Sequence, residues 1–464
     1  MKRVAWLAAS VVVAFALATL SRSADAQTRL PNIVVIVADD MGYADIGVHG
    51  SKDISTPNID ALAATGIRFT DGYVSGPFCS PTRAGLMTGR YPQRFGHEMN
   101  IVGPGSNEWG LPVEERTIAD RLKAAGYRTA VIGKWHLGSA PRFHPLERGF
   151  DEFFGFLGAA HSYMPSHAGD TTTDMVDGRS VVPAAAYLTE ALADRSADFI
   201  KRHRSRPFFL YLAFNAPHLP LEATERYVAR FPRIADQRRR TYAAMLSAMD
   251  DGIGKTMAAL RTEGLDENTL IFFFSDNGGP IRMAGDNASS NAPLRGSKRQ
   301  MWEGGVRVPF IIRWKGHIPE GRTDSRPIIQ HDVFATSLAA AGIPVNSEWK
   351  LDGVNLLPFL TGAASGSPHD VLYWRLGGMM AVRQGDWKLV KMHDGLPRKD
   401  SVGMKDLLAA ELYNLKTDIG ETKNLAAANP DKVRELAAVW LRWSDQLAKP
   451  RWYPSPNAAP PEYR

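Results

Sequence analysis

Apolar and polar positions along the chain fall into two kinds of segment. Short unbroken apolar runs at 33–38, 129–132, 208–214 and 269–275 predict strands buried on both faces. Between them, apolar residues recur at helical spacing. Thr56-Pro57 predicts a helix start, with Thr56 as N-cap, Ile59, Leu62 and Ala63 on one face, and Gly66 as the stop. Thr117 and Asp120 predict a capping box for a helix that Gly126 ends. Residues 182–203 read as helix. So does the long series Tyr242, Met245, Leu246, Met249, Ile253, Met257 and Leu260, whose methionines fill core. Arg238, Arg239 and Arg240 open that series and predict a solvated face. Strand and helix in alternation predict an α/β fold: a large, mostly parallel sheet covered by helices on both faces.

After a small-residue linker at 362–368 the pattern changes. Residues 371–375, 380–383 and 387–392 predict antiparallel strands, and 430–447 a closing helix. The Pro-rich tail 454–461 is expected to be an irregular strap or mobile. The expected division is a leader at 1–26, a catalytic domain at 27–365, and a smaller α+β subdomain with an antiparallel sheet at 366–464. No internal repeat is evident.

The leader carries Lys2 and Arg3, an uncharged run from Val4 to Leu20, and Ala24-Asp25-Ala26 before Gln27. This is the pattern of an export signal cleaved after Ala26, preferred over the alternative that the long run suggests, an uncleaved membrane anchor, and no Cys follows the run to take a lipid. No later segment is apolar enough to span a bilayer. The mature chain is therefore expected outside the cytoplasm, periplasmic or secreted, and not membrane-embedded. The formal net charge is +6 and would fall to +4 without residues 1–26. That mild excess, with no dense basic block interleaved with aromatics, argues against nucleic acid as a partner.

Candidate chemistry sits where the buried strands end. They deliver Asp39-Asp40, then Lys134 and His136, then His218, then Asp276-Asn277. One such residue is usually a turn former or a cap. Four endings rich in carboxylate, ammonium and imidazole suit a site for a metal and an anion at the carboxyl edge of the sheet. Asp39, Asp40, Asp276 and Asn277 offer only oxygen, which suits Ca²⁺ or Mg²⁺ better than Zn²⁺. In an extended segment the i, i+2 spacing of Lys134 and His136 would point both to one face. Cys79, the only cysteine of 464 residues, can form no internal disulfide. Pro81 and Arg83 follow it, at what reads as a helix start.

Cys79-x-Pro81-x-Arg83 with Gly89-Arg90, and Gly126-Tyr127-x-Thr129 with Gly133-Lys134-Trp135-His136-Leu137-Gly138, resemble the two signature stretches of the type I sulfatases of the alkaline phosphatase superfamily. So do Asp39-Asp40-Met41-Gly42-Tyr43, Ala216-Pro217-His218, Ser275-Asp276-Asn277-Gly278, Leu294-Arg295-Gly296-Ser297-Lys298, 303–309 and 411–415. Phe78 is bulkier than the family's usual residue there, and Ile419-Gly420 replaces a commoner proline. Arg142-Phe143-His144-Pro145 and 149–155 are similar to the arylsulfatase and N-acetylgalactosamine-6-sulfatase branch. The loop bearing His161, Tyr163 and His167 could recognise substrate or be ordinary surface.

The resemblance implies a sulfuric ester hydrolase acting on an aryl sulfate or sulfated saccharide. It implies that a separate formylglycine-generating enzyme oxidises Cys79 to formylglycine, whose hydrate attacks sulfur with one hydroxyl and releases sulfate with the other. Asp39, Asp40, Asp276 and Asn277, with modified Cys79, would hold one Ca²⁺. Arg83 would hold the formylglycine hydroxyl and the metal-side carboxylates, and Lys134 and Lys298 would neutralise sulfate oxygens. His136 would be the base that helps eliminate sulfate, and His218, with Lys298, would protonate the leaving alcohol. Two other readings are a formylglycine-dependent phosphonate or phosphodiester hydrolase and a non-catalytic glycan-binding relative.

Overall fold

The apolar run after Pro31 forms a strand in which all seven residues are buried. In a computed structural model of the protein, residues 29–102, 108–166, 174–282, 285–392 and 402–453 are described. The expected leader, its cleavage site, His167 and the Pro-rich tail lie outside them. Along the chain the strands are β1 Asn32–Ala38, β2 Ile67–Phe69, β3 Gly72–Tyr73, β4 Arg128–Lys134, β5 Glu152–Phe156, β6 Met175–Asp177, β7 Ser180–Val182 and β8 Phe208–Ala213. There follow β9 Thr269–Ser275, β10 Phe310–Arg313, β11 Arg322–Asp324, β12 Ile328–Ile329, β13 Val371–Leu376, β14 Met379–Gln384, β15 Trp387–Lys391 and β16 Glu411–Asn414.

Ten of these form one sheet in the order β11-β2-β10-β9-β1-β8-β4-β5-β6-β7. Its centre, β9-β1-β8-β4-β5, is parallel throughout. Both faces are covered. Val34, Ile36 and Ala38 of β1 pack with residues of helices Pro57–Ala64, Leu188–Arg202 and Gln237–Thr262. Ile33, Val35 and Val37 pack on the other side with helices Cys79–Thr88, Ile118–Ala124 and Asp332–Ala340. Period-two alternation along a strand thus divides its side chains between two apolar layers. The remaining segment adds a four-stranded antiparallel sheet, β13-β14-β15-β16, on which helix Pro430–Ser444 packs through Leu436 and Trp440.

Several local expectations are corrected. The helix expected from 182 begins at Leu188, because 180–182 pair with β6 as strand β7 and Pro183 follows. Thr56 precedes its helix but does not cap it with its side chain. Its hydroxyl instead accepts from the Gly47 N–H at 2.8 Å and donates to Asp60 at 3.2 Å. Arg239 is not a solvated charge: it pairs with Asp45 at 2.7 Å and Asp53 at 2.8 Å. The closing helix ends at Ser444, short of residue 447. The capping box of Thr117 and Asp120 forms as expected.

Candidate active site

Strand register brings the polar endings together. Ala38 pairs with Ser275, Val37 with Ala213, and Gly133 with Ala213. The residues that follow therefore leave the sheet side by side: Asp39-Asp40, Asp276-Asn277, Lys134 and the 215–218 loop. A side chain at Gly133 is excluded, since a Cβ there would lie 1.9 Å from the Ala213 carbonyl oxygen and φ is +112°. That close approach lets β4 deliver Lys134 beside β8.

Cys79 reaches this edge from the adjacent helical layer. It is the first residue of helix Cys79–Thr88, after an extended Phe78. Pro81 suits a first turn, where its missing N–H is no loss, and Gly89 in the left-handed region ends the helix. Cys79 and Arg83 stand at i and i+4, so one helix face presents both to the strand ends.

The thiol donates to Asp39 Oδ1 at 3.4 Å and lies 3.3 Å from Lys298 Nζ. Lys134 Nζ is 2.5 Å from Asp39 Oδ2. Lys298 Nζ donates to both oxygens of Asp40, at 2.7 and 2.8 Å. Arg83 donates to Asp276 Oδ2 at 2.7 and 3.1 Å, to the Lys134 carbonyl at 3.2 Å, and to Tyr211 Oη at 3.1 Å. Asp276 Oδ1 accepts from the Asp40 N–H at 3.2 Å. Three carboxylates and three cations are thus packed together, all buried.

Each charge alters its neighbours. Burial raises the Asp276 carboxyl, and repulsion from Asp39 adds to that against the pull of Arg83. Burial would also raise Asp40, but Lys298 and His218 outweigh it and hold Asp40 below the usual carboxylate range. Burial pushes the Cys79 thiol well above its ordinary value, and the Asp276 charge adds to the effect. An unmodified Cys79 is therefore a neutral thiol, and thiols are nucleophilic as thiolates.

The two histidines differ. His218 Nδ1 bonds the Leu219 carbonyl at 2.6 Å, which leaves Nε2 facing Asp40 Oδ2 at 3.4 Å. Burial lowers its pKa to about 4, with Asp40 opposing. His136 does not share a strand face with Lys134, as its spacing suggested. β4 ends at Lys134, and His136 turns into the left-handed region with φ +54°. Its Nε2 lies 3.3 Å from the Ile101 carbonyl, and its buried Nδ1 has no partner. Burial holds the ring neutral. A backbone acceptor at Nε2 selects the tautomer whose Nδ1 carries a free lone pair.

Four side chains at this edge could together hold a metal ion. Single ligand atoms of Asp39, Asp40, Cys79 and His218 lie within 4.8 Å of one another. Asn277 Nδ2 donates to Asp40 Oδ1 at 2.7 Å, while its Oδ1 is buried without a partner. Asp39, Asp40 and the orphaned Asn277 oxygen are the hard donors here, and Cys79 and His218 the softer ones.

The sulfatase family model matches residues 31–343. The chain is a member of the sulfatase family. It is similar to N-acetylgalactosamine-6-sulfatase of Canis lupus familiaris, 36% identical over 377 residues that cover 77% of this chain and 71% of that one. Arylsulfatase A of Homo sapiens is 35% identical over 460 residues, covering 90% and 88%. Among solved structures, Ps i-CgsB in complex with k-i-k-neocarrahexaose superposes with a TM-score of 0.85 at 36% identity, covering 92% of this chain and 96% of that one. This sulfatase is accordingly an enzyme, a sulfuric ester hydrolase.

Some of its site was not anticipated from sequence. Tyr211 lies within the apolar run of β8, where nothing marks its hydroxyl as a partner for Arg83. Asn287 donates to the carbonyls of Asp40 and Pro217 at 3.0 and 3.1 Å, tying the Asp40 turn to the His218 loop. Asn100 accepts from the Ser80 N–H at 3.0 Å, and Ser80 Oγ bonds the His136 carbonyl at 2.7 Å. His161 is buried, and its carbonyl accepts from Asn215. Tyr163 donates to the carbonyls of Asn215 and His218 at 2.7 and 2.8 Å, so it supports the His218 loop.

Proposed function

We propose that this sulfatase cleaves the sulfate ester of an aryl alcohol or saccharide at position 79, after oxidation of Cys79 and with Ca²⁺ bound. The observation that carries this is the placement of Lys134 and Lys298, whose ammonium groups flank Cys79 over Asp39 and Asp40. Asp39, Asp40, Asp276 and Asn277 would hold the ion. Bound Ca²⁺ would polarise a sulfate oxygen, and formylglycine at position 79 would supply, as its hydrate, one hydroxyl to attack sulfur and a second to allow release.

The chain's own residues do the remainder. Lys134 and Lys298 neutralise sulfate oxygens as charge spreads in the transition state. Arg83 is enclosed behind Asp276 and Tyr211, so it fixes the carboxylates and the nucleophile's helix. His136 takes a proton at Nδ1. His218 Nε2 gives one to the leaving oxygen, and the negative charge of an arriving sulfate ester favours its protonated form. Export, as read from residues 1–26, and a separate maturation enzyme belong to the same proposal. Among the described residues, no helix is long and apolar enough to cross a membrane.

Three measurements test this. Intact-protein mass spectrometry after expression with a formylglycine-generating enzyme is expected to show conversion of Cys79. The matured enzyme should then turn over 4-nitrophenyl sulfate faster than an aryl phosphonate. An unconverted thiol, or a clear phosphonate preference, would overturn the assignment. Prolonged chelation should abolish turnover and Ca²⁺ should restore it; recovery with Zn²⁺ alone would refute the hard-cation site.

A further inference from the structure

Lys298 and Arg299 are consecutive cations with opposite destinations. Lys298 turns inward to Asp40 and Cys79. Arg299 is exposed, and its guanidinium lies 5.9 Å from the centre of the Phe78 ring, the residue just before Cys79. Arg83, Lys134 and Lys298 each contact a carboxylate. Arg299 makes no ion pair with any described residue.

The backbone at Arg299 is also unusual. Its φ is +73°, in the left-handed region where glycine is the unstrained choice. The turn is fixed on both sides: the Lys298 N–H donates to the Gly279 carbonyl at 3.3 Å, and the Arg299 N–H to the Pro77 carbonyl at 2.9 Å. A long cation thus stands at a position that would accept glycine more easily, against the segment that leads into Cys79. Strained residues of this kind cluster at functional sites.

We propose that Arg299 is a specificity-determining residue that binds a second sulfate group of the substrate, so that polysulfated saccharides are preferred over monosulfated ones. The inference rests on the reading that the scissile sulfate reacts at position 79. Lys298 faces that position, so Arg299, pointing outward from the same turn, meets a different group of the same molecule. A guanidinium matches two oxygens of a sulfate, and the Phe78 ring lies at the limit of cation–π range from it.

Binding can be measured apart from turnover. In the full-length chain carrying Cys79→Ala, affinities for sucrose octasulfate and for galactose 6-sulfate are compared by calorimetry, with Arg299 intact or replaced. Arg299→Gln and Arg299→Gly should each weaken octasulfate binding about tenfold, as expected for a lost charge-assisted contact, and Arg299→Lys should recover part of it. Galactose 6-sulfate should bind equally to all forms. Arg233→Gln, an exposed arginine elsewhere, should change neither ligand. Arg299→Gly should melt no lower than the parent, because it relieves the left-handed strain, so a binding loss is not unfolding. Unchanged octasulfate affinity, or an equal loss for both ligands, would overturn the proposal. If the matured enzyme fails to hydrolyse 4-nitrophenyl sulfate while the octasulfate effect persists, the catalytic reading fails and the anion contact stands.

Discussion

At the scale of single residues, Cys79 decides whether the chemistry is right. Its side chain is buried between Asp39 and Lys298, so truncation removes little volume. Cys79→Ala should leave the melting temperature nearly unchanged while turnover of 4-nitrophenyl sulfate falls by a factor of about 10³ or more, the scale of losing a covalent nucleophile. Near-parental activity would refute the mechanism. Lys134 and the strand-end carboxylates could be picked out in the sequence because polar residues directly after apolar runs stand out; Cys79 stood out as the lone cysteine, Arg83 by its place after Cys79 and Pro81, and Lys298 only through the resemblance to sulfatases. The position of His136 could not, because its left-handed φ breaks the extended geometry that the i, i+2 spacing assumed. Nor could Tyr211 or Asn287. One is a tyrosine inside an apolar strand, and the other lies in a polar loop where any asparagine is unremarkable. Their roles arise from contacts across 128 and 247 residues of sequence.

At the scale of elements, the central strands β1, β4, β8 and β9 were legible as unbroken apolar runs bounded by polar residues, whereas the inner strands β5 and β10 were not. The long helix Gln237–Thr262 was equally plain from its spacing. Short edge strands were not. β7 is three residues, exposed or half-exposed, and runs on towards a helical pattern, so it merged with the helix that follows. Two elements invite tests. Gly133→Ala should lower unfolding stability by about 2–5 kcal/mol in urea titration, from an unfavourable φ plus a contact that forces β4 from β8. A change below 0.5 kcal/mol would mean the strands separate freely. Helix Cys79–Thr88 receives no side-chain cap from Phe78; its Ser80 N–H is met by Asn100, whose carbonyl accepts from Trp452 Nε1 at 3.1 Å. Asn100→Ala should cost about 1 kcal/mol, raise hydrogen exchange in a peptide covering 79–88 and lower kcat. Asn100→Asp, which keeps an acceptor, should restore protection. Equal exchange in all three forms would show that the cap contributes nothing.

At the scale of the whole molecule, buried charge ties the four-stranded sheet to the short helix Glu303–Val306 and to β3. Lys388 of β15 lies 2.8 Å from Glu303 and 3.0 Å from Glu421, and Glu303 also meets Arg307 at 3.1 Å and Tyr73 Oη at 2.6 Å. All five residues are buried. One ammonium serves two carboxylates, and they respond oppositely. Burial opposes ionisation of Glu303, but Lys388, Arg307 and Arg383 outweigh it and bring its pKa to about 2. Burial and then repulsion from Glu303 push Glu421 up to about 7, against the attraction of Lys388. The signs follow from linkage. Glu303, lower in the folded state, stabilises above its unfolded pKa, and that contribution is lost as pH falls towards 2. Glu421, higher in the folded state, stabilises fully below its unfolded pKa of about 4.3, and that contribution is lost as pH rises through 7. Between pH 5 and pH 7 the Glu421 effect dominates, so the protein should lose stability over that range by on the order of 1–3 kcal/mol from this residue. Glu421→Gln keeps the shape and removes the titration. Thermal or urea unfolding of both forms across pH 5–7 should show the variant with a flatter profile and a relative gain at pH 7. Parallel profiles would mean that Glu421 is ionised throughout and that Lys388 holds both carboxylates at once.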